Sequence, residues 1–209
     1  MRNWILCYVL GPIITLYTHP RVRGLEHLTG LRHPVVFAAN HSSHMDTPLL
    51  LRALPAQWRR KTVVVAAADY FFRNRALASL VSLAFGAVPI ERKAATSRDS
   101  AARLNEIVRA SYNLVVYPEG TRSRDGTMGG LRSGAARLVL EHAIPLVPVH
   151  IHGTHDAMPP GRWWPRRHSV SVSFGPPICA SPGDDHRAIT GRLKRSLVEM
   201  SDAASTPRG

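Results

Sequence analysis

Short runs of consecutive apolar residues alternate along this chain with longer stretches in which apolar positions recur every three or four residues. The short runs are residues 35–39, 62–66, 114–117, 146–151 and 170–174. Most are rich in Val and Ile and have no regular polar face, so they predict strands buried on both sides. The longer stretches predict helices. One spans residues 96–112, capped by Thr96 or Ser97, with Ala101, Leu104, Ile107 and Val108 on one face. A second spans residues 133–143, with Ala136, Leu138, Val139 and Leu140. A third spans residues 185–203 and turns Ile189, Leu193, Leu197 and Met200 inward. Strand and helix alternate. The pattern therefore predicts a single α/β domain over residues 21–203, with a mixed, mostly parallel sheet flanked by helices. Residues 204–209 read as a disordered tail.

An apolar N-terminal helical segment, residues 1–20, precedes that domain. Residues 3–18 carry no charge but fall short of the ~20 residues a membrane-spanning helix needs. Gly11-Pro12 interrupts them, only Arg2 precedes them, and no small-residue cleavage site follows, so no signal peptide is expected. The segment is assigned to a membrane interface, with an ordinary buried helix as the competing reading. Residues 76–90 are also free of charge. They fit a core helix running into a strand, or an apolar wall for an acyl chain, and core is the favoured reading.

Composition narrows the partners. Against 14 Asp and Glu stand 27 Lys and Arg, a formal charge of +13 that attracts nucleic acid, an anionic membrane or a phosphorylated ligand. Only Lys61, Lys93 and Lys194 are lysines. Arginine suits planar phosphate contacts, although a GC-rich genome gives the same bias. Cys7 and Cys179 have no metal-site spacing and make no disulfide framework. Trp163 and Trp164 lie among Arg162, Arg166 and Arg167. That mixture suits a membrane interface, base stacking or a solvated basic loop.

Two motifs carry the chemistry. Residues 40–46, N-H-S-S-H-M-D, follow the first predicted strand. There α/β sheets place their reactive groups, outside the carboxyl ends of strands. His41 is a candidate general base because imidazole titrates near neutral pH. Asp46 is a candidate orienter of its ring, reachable across a loop-to-helix junction with a helix start near Ser43. The alternative is a capping box at Ser43-x-x-Asp46. His44 is a second candidate base, too near Asp46 in sequence to meet it on a helix. Residues 117–123, Y-P-E-G-T-R-S, form a turn in which Gly120 permits special backbone angles and successive N–H groups can face an anion. Arg122 follows at once, and the alternative is a surface turn. Between the two, residues 86–93 bring a strand out to Arg92, either a phosphate ligand or half of a charge pair.

N-H-S-S-H-M-D resembles the H-x4-D block of the glycerolipid acyltransferases, the 1-acylglycerol-3-phosphate acyltransferase family. G-A-V-P-I-E-R, Y-P-E-G-T-R-S and I-P-L-V-P-V are similar to its second, third and fourth blocks, in the right order. The resemblance implies acyl transfer in phospholipid biosynthesis, from acyl-CoA or acyl carrier protein to a lysophospholipid, most often 1-acylglycerol-3-phosphate. His41 would be the base and Asp46 its orienter. Glu119, Gly120 and Thr121 would shape the acceptor site, and Arg92 and Arg122 would hold phosphate. It implies no metal and no cofactor. It also implies an anionic membrane surface rather than nucleic acid as partner, at the cytoplasmic face of the cell membrane, peripheral or monotopic. Tyr117 stands where the family has Phe, and Glu91 where Asp is commoner.

Two other functions compete. His150, His152, His155 and Asp156, in H-I-H-G-T-H-D, are spaced somewhat like zinc ligands of a metallohydrolase. The +13 charge alone fits a non-enzymatic binder of nucleic acid or membrane. A serine hydrolase is disfavoured, since no G-x-S-x-G occurs.

Overall fold

The computed structural model describes residues 11–67, 87–90, 98–159, 161–162 and 164–205. Its strands are β1 (Arg21–Arg23), β2 (Val36–Ala39), β3 (Thr62–Ala67), β4 (Ala87–Ile90), β5 (Asn113–Val116), β6 (Leu146–His152) and β7 (Ser171–Phe174). Among the described residues they form one seven-stranded sheet in the order β1-β7-β6-β2-β5-β3-β4. Every neighbouring pair is parallel except β6 with β7. The sheet is thus mixed and mostly parallel, as the alternation of elements predicts.

The unbroken apolar runs have a direct cause. All four positions of β2 are buried. Because side chains alternate across a strand, Val35, Phe37 and Ala39 enter one core while Val36 and Ala38 enter the other. The first core packs α1 (Gly11–Thr18), α2 (Asp46–Ala53) and α3 (Ala56–Arg60) on the sheet through Ile14, Leu50 and Trp58. The second packs α4 (Arg98–Arg109), α5 (Gly134–His142) and α7 (His186–Ser205) through Val108, Val139 and Ile189. A one-turn helix, α6 (Thr154–Ala157), follows β6. A strand with helices on both faces has no wet side, so it shows no polar alternation.

Several element ends differ from the predicted ones. Helix α4 stops at Arg109, short of residue 112, because Ser111 takes a left-handed φ of 58° and the Tyr112 N–H turns back to the Ile107 carbonyl. Ala101 on that helix is exposed, and Val108 is the buried anchor. Helix α7 runs through Ala204 and Ser205, two residues assigned to the tail. Gly11 and Pro12, where the sequence predicts a break, open the described part of α1, and the residues before them lie outside the described residues. The rest of the N-terminal segment, most of 76–90, Glu91, Arg92, Thr96, Ser97, Trp163 and residues 206–209 lie outside the described residues. Among the described residues no helix is long and apolar enough to cross a membrane.

The topology places one location apart from the others. After β2 the chain leaves toward β3, returns as β5 beside β2, then crosses to form β6 on the other flank of β2. The carboxyl ends of β6, β2 and β5 therefore meet where the winding reverses, the crevice in which open α/β sheets bind ligands.

Candidate active site

His41 leaves the carboxyl end of β2, and its Nδ1 lies 2.8 Å from Asp46 Oδ2. Asp46 opens helix α2 and is 0% exposed, whereas the His41 side chain is 19% exposed. The buried carboxylate is well supplied with donors. Oδ2 also accepts the backbone N–H of Ser42 at 2.7 Å and of Ser43 at 2.8 Å. Oδ1 accepts the Thr154 hydroxyl at 2.6 Å, and Ser42 Oγ lies 3.1 Å from that same hydroxyl. A carboxylate only accepts, so the imidazole donates from Nδ1 and leaves the Nε2 lone pair free.

The capping reading of residues 40–46 is met in part. The Ser43 N–H bonds Asp46 Oδ2 and Ser43 Oγ accepts the Met45 N–H at 3.2 Å, the bonds of a capping box made in the turn ahead of the helix, whose N-cap residue is Met45. Asp46 ties the turn that leads into the helix and orients His41 at once. The helix begins at Asp46 rather than near Ser43, so His41 stands outside it, and this lets a five-residue separation meet.

The second motif holds His41 by its backbone. Glu119 Oε1 accepts the His41 N–H at 2.8 Å, and the Ser123 N–H donates to the His41 carbonyl at 2.8 Å. Glu119 Oε2 accepts the Gly129 N–H at 2.9 Å, which fastens the following loop to the same carboxylate. A carboxylate at this turn is therefore satisfied by backbone donors, and both of its oxygens are engaged inside the protein. Gly120 takes a φ of 74°, and a Cβ there would come within 2.9 Å of Arg132 Nε. The Tyr117 ring stacks on the His41 ring with centroids 4.0 Å apart and planes 20° apart. Its hydroxyl lies 2.8 Å from Thr47 Oγ1. Burial, then the Asp46 charge, push this phenol above its ordinary range, so it stays protonated.

Thr121 stands exposed at the rim. Arg122 reaches back and donates to His44 Nε2. Desolvation, then the Arg122 and His41 charges, lower His44 to about 4, so near neutral pH its ring is uncharged and can accept from the guanidinium. The structure thus brings His41, Asp46, Glu119, Gly120 and Arg122 together, and the predicted phosphate ligand Arg92 lies outside the described residues.

Residues 150–156 contribute differently from the metal reading. His150 and His152 lie with ring centroids 6.3 Å apart on β6, and among the described residues no group of three His, Cys, Asp or Glu side chains is gathered for a metal ion. Burial, then the neighbouring His152, lower His150 to about 4. The working residue of this stretch is Thr154, 108 positions from Asp46 in sequence. It is held in reach by Asn40, whose side chain exchanges two hydrogen bonds with the Ile151 backbone, 2.9 Å and 2.7 Å. Nothing local in the sequence marks Thr154, because its partner is supplied by strand order alone. Tyr117 was legible only as a departure from a motif, and its stacking on His41 is a tertiary fact.

Residues 19–152 match the family model described as Acyltransferase. A chloroplastic 1-acyl-sn-glycerol-3-phosphate acyltransferase of Brassica napus is 31% identical over 167 residues, covering 78% of this chain and 46% of that protein. A 1-acyl-sn-glycerol-3-phosphate acyltransferase of Limnanthes douglasii is 30% identical over 171 residues, covering 80% and 58%. The chain spans about half the length of these curated relatives. The crystal structure of the 1-acyl-sn-glycerophosphate acyltransferase from Thermotoga maritima superposes with a TM-score of 0.74 at 21% identity, covering 99% of this chain and 84% of that one, a likeness of fold.

Proposed function

This chain belongs to the Acyltransferase family, and we propose that it moves a fatty acyl group from acyl-CoA or acyl carrier protein to the hydroxyl of a lysophospholipid. The acceptor we propose is 1-acylglycerol-3-phosphate, the substrate in the names of its curated relatives, with phosphatidate as product. The observation that carries this reading is the 2.8 Å contact between a solvent-reachable imidazole and a fully buried carboxylate at the switch point of the sheet.

His41 Nε2 removes the acceptor hydroxyl proton as that oxygen bonds to the thioester carbonyl carbon. The carbon–sulfur bond then breaks, and the departing thiolate takes the proton from the imidazolium. Asp46 remains a carboxylate throughout, holds the tautomer and stabilises the imidazolium. Every atom is accounted for without a cofactor, because the thioester enters as a co-substrate. Arg122, beside His44 at the rim, supplies a cation for the acceptor phosphate, with Arg92 as its partner from the second block. The protein works at the cytoplasmic face of the membrane, bound to its anionic surface.

A thioester-dependent assay across lysophosphatidate, glycerol 3-phosphate and other lyso-lipids, read by mass spectrometry, tests the reading. Lysophosphatidate is the expected acceptor, and absence of transfer to every member of the panel would refute it. His41→Ala is expected to lower turnover by about 10²- to 10⁴-fold. Retained turnover in that variant would remove His41 from the role of base.

A further inference from the structure

Among the described residues the two most exposed large apolar side chains, Leu16 and Trp164, sit on a helix and a connection that are joined to each other through Tyr17. Leu16 of α1 is 59% exposed and Trp164 of the β6–β7 connection is 60% exposed. Ile14 and Thr18 of α1 are buried against the body. Leu16 lies two residues from each, about 200° round the helix, and so points outward. Helix and connection form one surface. The Trp164 and Tyr17 rings meet edge to face at 6.1 Å, and Trp164 Nε1–H donates to the Tyr17 hydroxyl at 3.3 Å. The His168 N–H bonds the Tyr17 carbonyl at 3.1 Å, and the Val170 N–H bonds the Thr18 carbonyl at 3.2 Å. Arg162, Arg166 and Arg167, all exposed, flank the tryptophan, and the nearby Asp156 is directed at His168, 3.6 Å away.

We infer that this Leu16–Trp164 surface with its three arginines is the face that docks on an anionic lipid bilayer. The inference rests on the acyltransferase reading and deepens it by locating the membrane contact. An amphipathic indole at the level of lipid headgroups, ringed by guanidinium groups, matches an interface that is apolar below and negatively charged above. The surface is also tied to the chemistry. The Arg166 N–H bonds the Ala157 carbonyl at 2.7 Å at the end of α6. The other end of α6 is Thr154, bonded to Asp46, and the Met158 carbonyl accepts Ser43 Oγ–H at 2.7 Å. One helical turn therefore separates the bilayer contact from the groups that hold His41.

Sedimentation of the full chain with vesicles tests it. Wild type is expected to bind vesicles of phosphatidylglycerol and phosphatidylcholine far better than phosphatidylcholine alone, with an affinity that falls as salt rises. Replacing Arg162, Arg166 and Arg167 by Gln should weaken binding about fivefold per charge removed. Trp164→Ala should weaken it by an amount that salt does not change. The arginine side chains touch no core residue, so the triple variant should match wild type in circular dichroism and melting temperature, whereas Trp164→Ala, which removes the Tyr17 contact, should keep the circular dichroism with a slightly lower melting temperature. Acyl transfer to a short-chain, monomeric acceptor in solution should also persist in both variants. Triple-variant binding equal to wild type overturns the inference. So does a triple variant that loses duplex DNA binding while keeping its vesicle affinity. Vesicle binding that depends on these residues in a protein with no transfer to any soluble acceptor would leave the surface standing and remove the enzymatic reading.

Discussion

Asp46 receives four donors, from His41, Ser42, Ser43 and Thr154, in a place that water does not reach. An amide keeps only one acceptor oxygen, so its NH₂ group must face either the three N–H donors at Oδ2 or the Thr154 hydroxyl at Oδ1, and the bonds it keeps lose the negative charge. Asp46→Asn is therefore expected to lower stability by about 1–3 kcal/mol as well as turnover. His41→Ala should lose turnover with a nearly unchanged melting temperature, since its ring is partly open to solvent. Paired melts and rates separate the two, and an Asp46→Asn protein as stable as wild type would show that the cap does not depend on the charge. Tyr117→Phe keeps the ring on His41 and removes only the hydroxyl bonded to Thr47. It should cost about 1 kcal/mol in a denaturant titration and leave turnover within a few-fold of wild type. Phe at this place is what the motif resemblance leads one to expect. Only the stacking geometry shows why either aromatic ring serves.

The two motif loops act as one unit because each satisfies the other's backbone. His41 gives its N–H to Glu119 and receives the Ser123 N–H on its carbonyl. Glu119→Gln leaves one of two backbone donors, His41 or Gly129, facing an NH₂ group. The expected result is a fall in kcat with little change in acceptor KM, measured over a lysophosphatidate series. A raised KM at constant kcat would instead put Glu119 in contact with the acceptor, the role its motif resemblance implies. Element identity was readable from apolar spacing, as β2, β5 and β6 show. Element ends were less so, because α4 ends on the backbone reversal at Ser111, a residue with no strong stop signal. Glu119 could not be read from spacing, since its partners lie 78 and 10 positions away.

Across the whole molecule, burial of His150 couples stability to pH. Its folded pKa lies near 4, below the ordinary 6.5, so the unfolded chain binds its proton first on acidification. Stability then rises with pH between about 4 and 6.5, and falls by as much as about 3 kcal/mol on going down through that window. His44 adds a smaller contribution of the same sign, because that residue is exposed. Melting temperatures measured from pH 7 to 4 should fall, and His150→Gln should flatten the slope. An unaltered slope in that variant would place the acid sensitivity elsewhere. The +13 charge acts at this scale too. It favours association with anionic surfaces through long-range attraction, and the proposed Leu16–Trp164 face would set which side meets them.

Apolar patterning by itself determined the fold class, because a strand covered on both faces must be apolar throughout and a helix on a sheet must show one apolar stripe. Motif spacing also brought His41, Asp46 and the turn at Gly120 into view, since their neighbours are local in the chain. What only the tertiary structure decided is long-range. Strand order set the carboxyl ends of β6, β2 and β5 side by side. That placement gave Asp46 its donor from Thr154, gave His41 its clamp from Glu119 and Ser123, and laid Trp164 against Tyr17. A hydrogen bond of 2.6 Å between residues 108 positions apart leaves no period and no spacing in a sequence, because its geometry is fixed by the packing of every element between them.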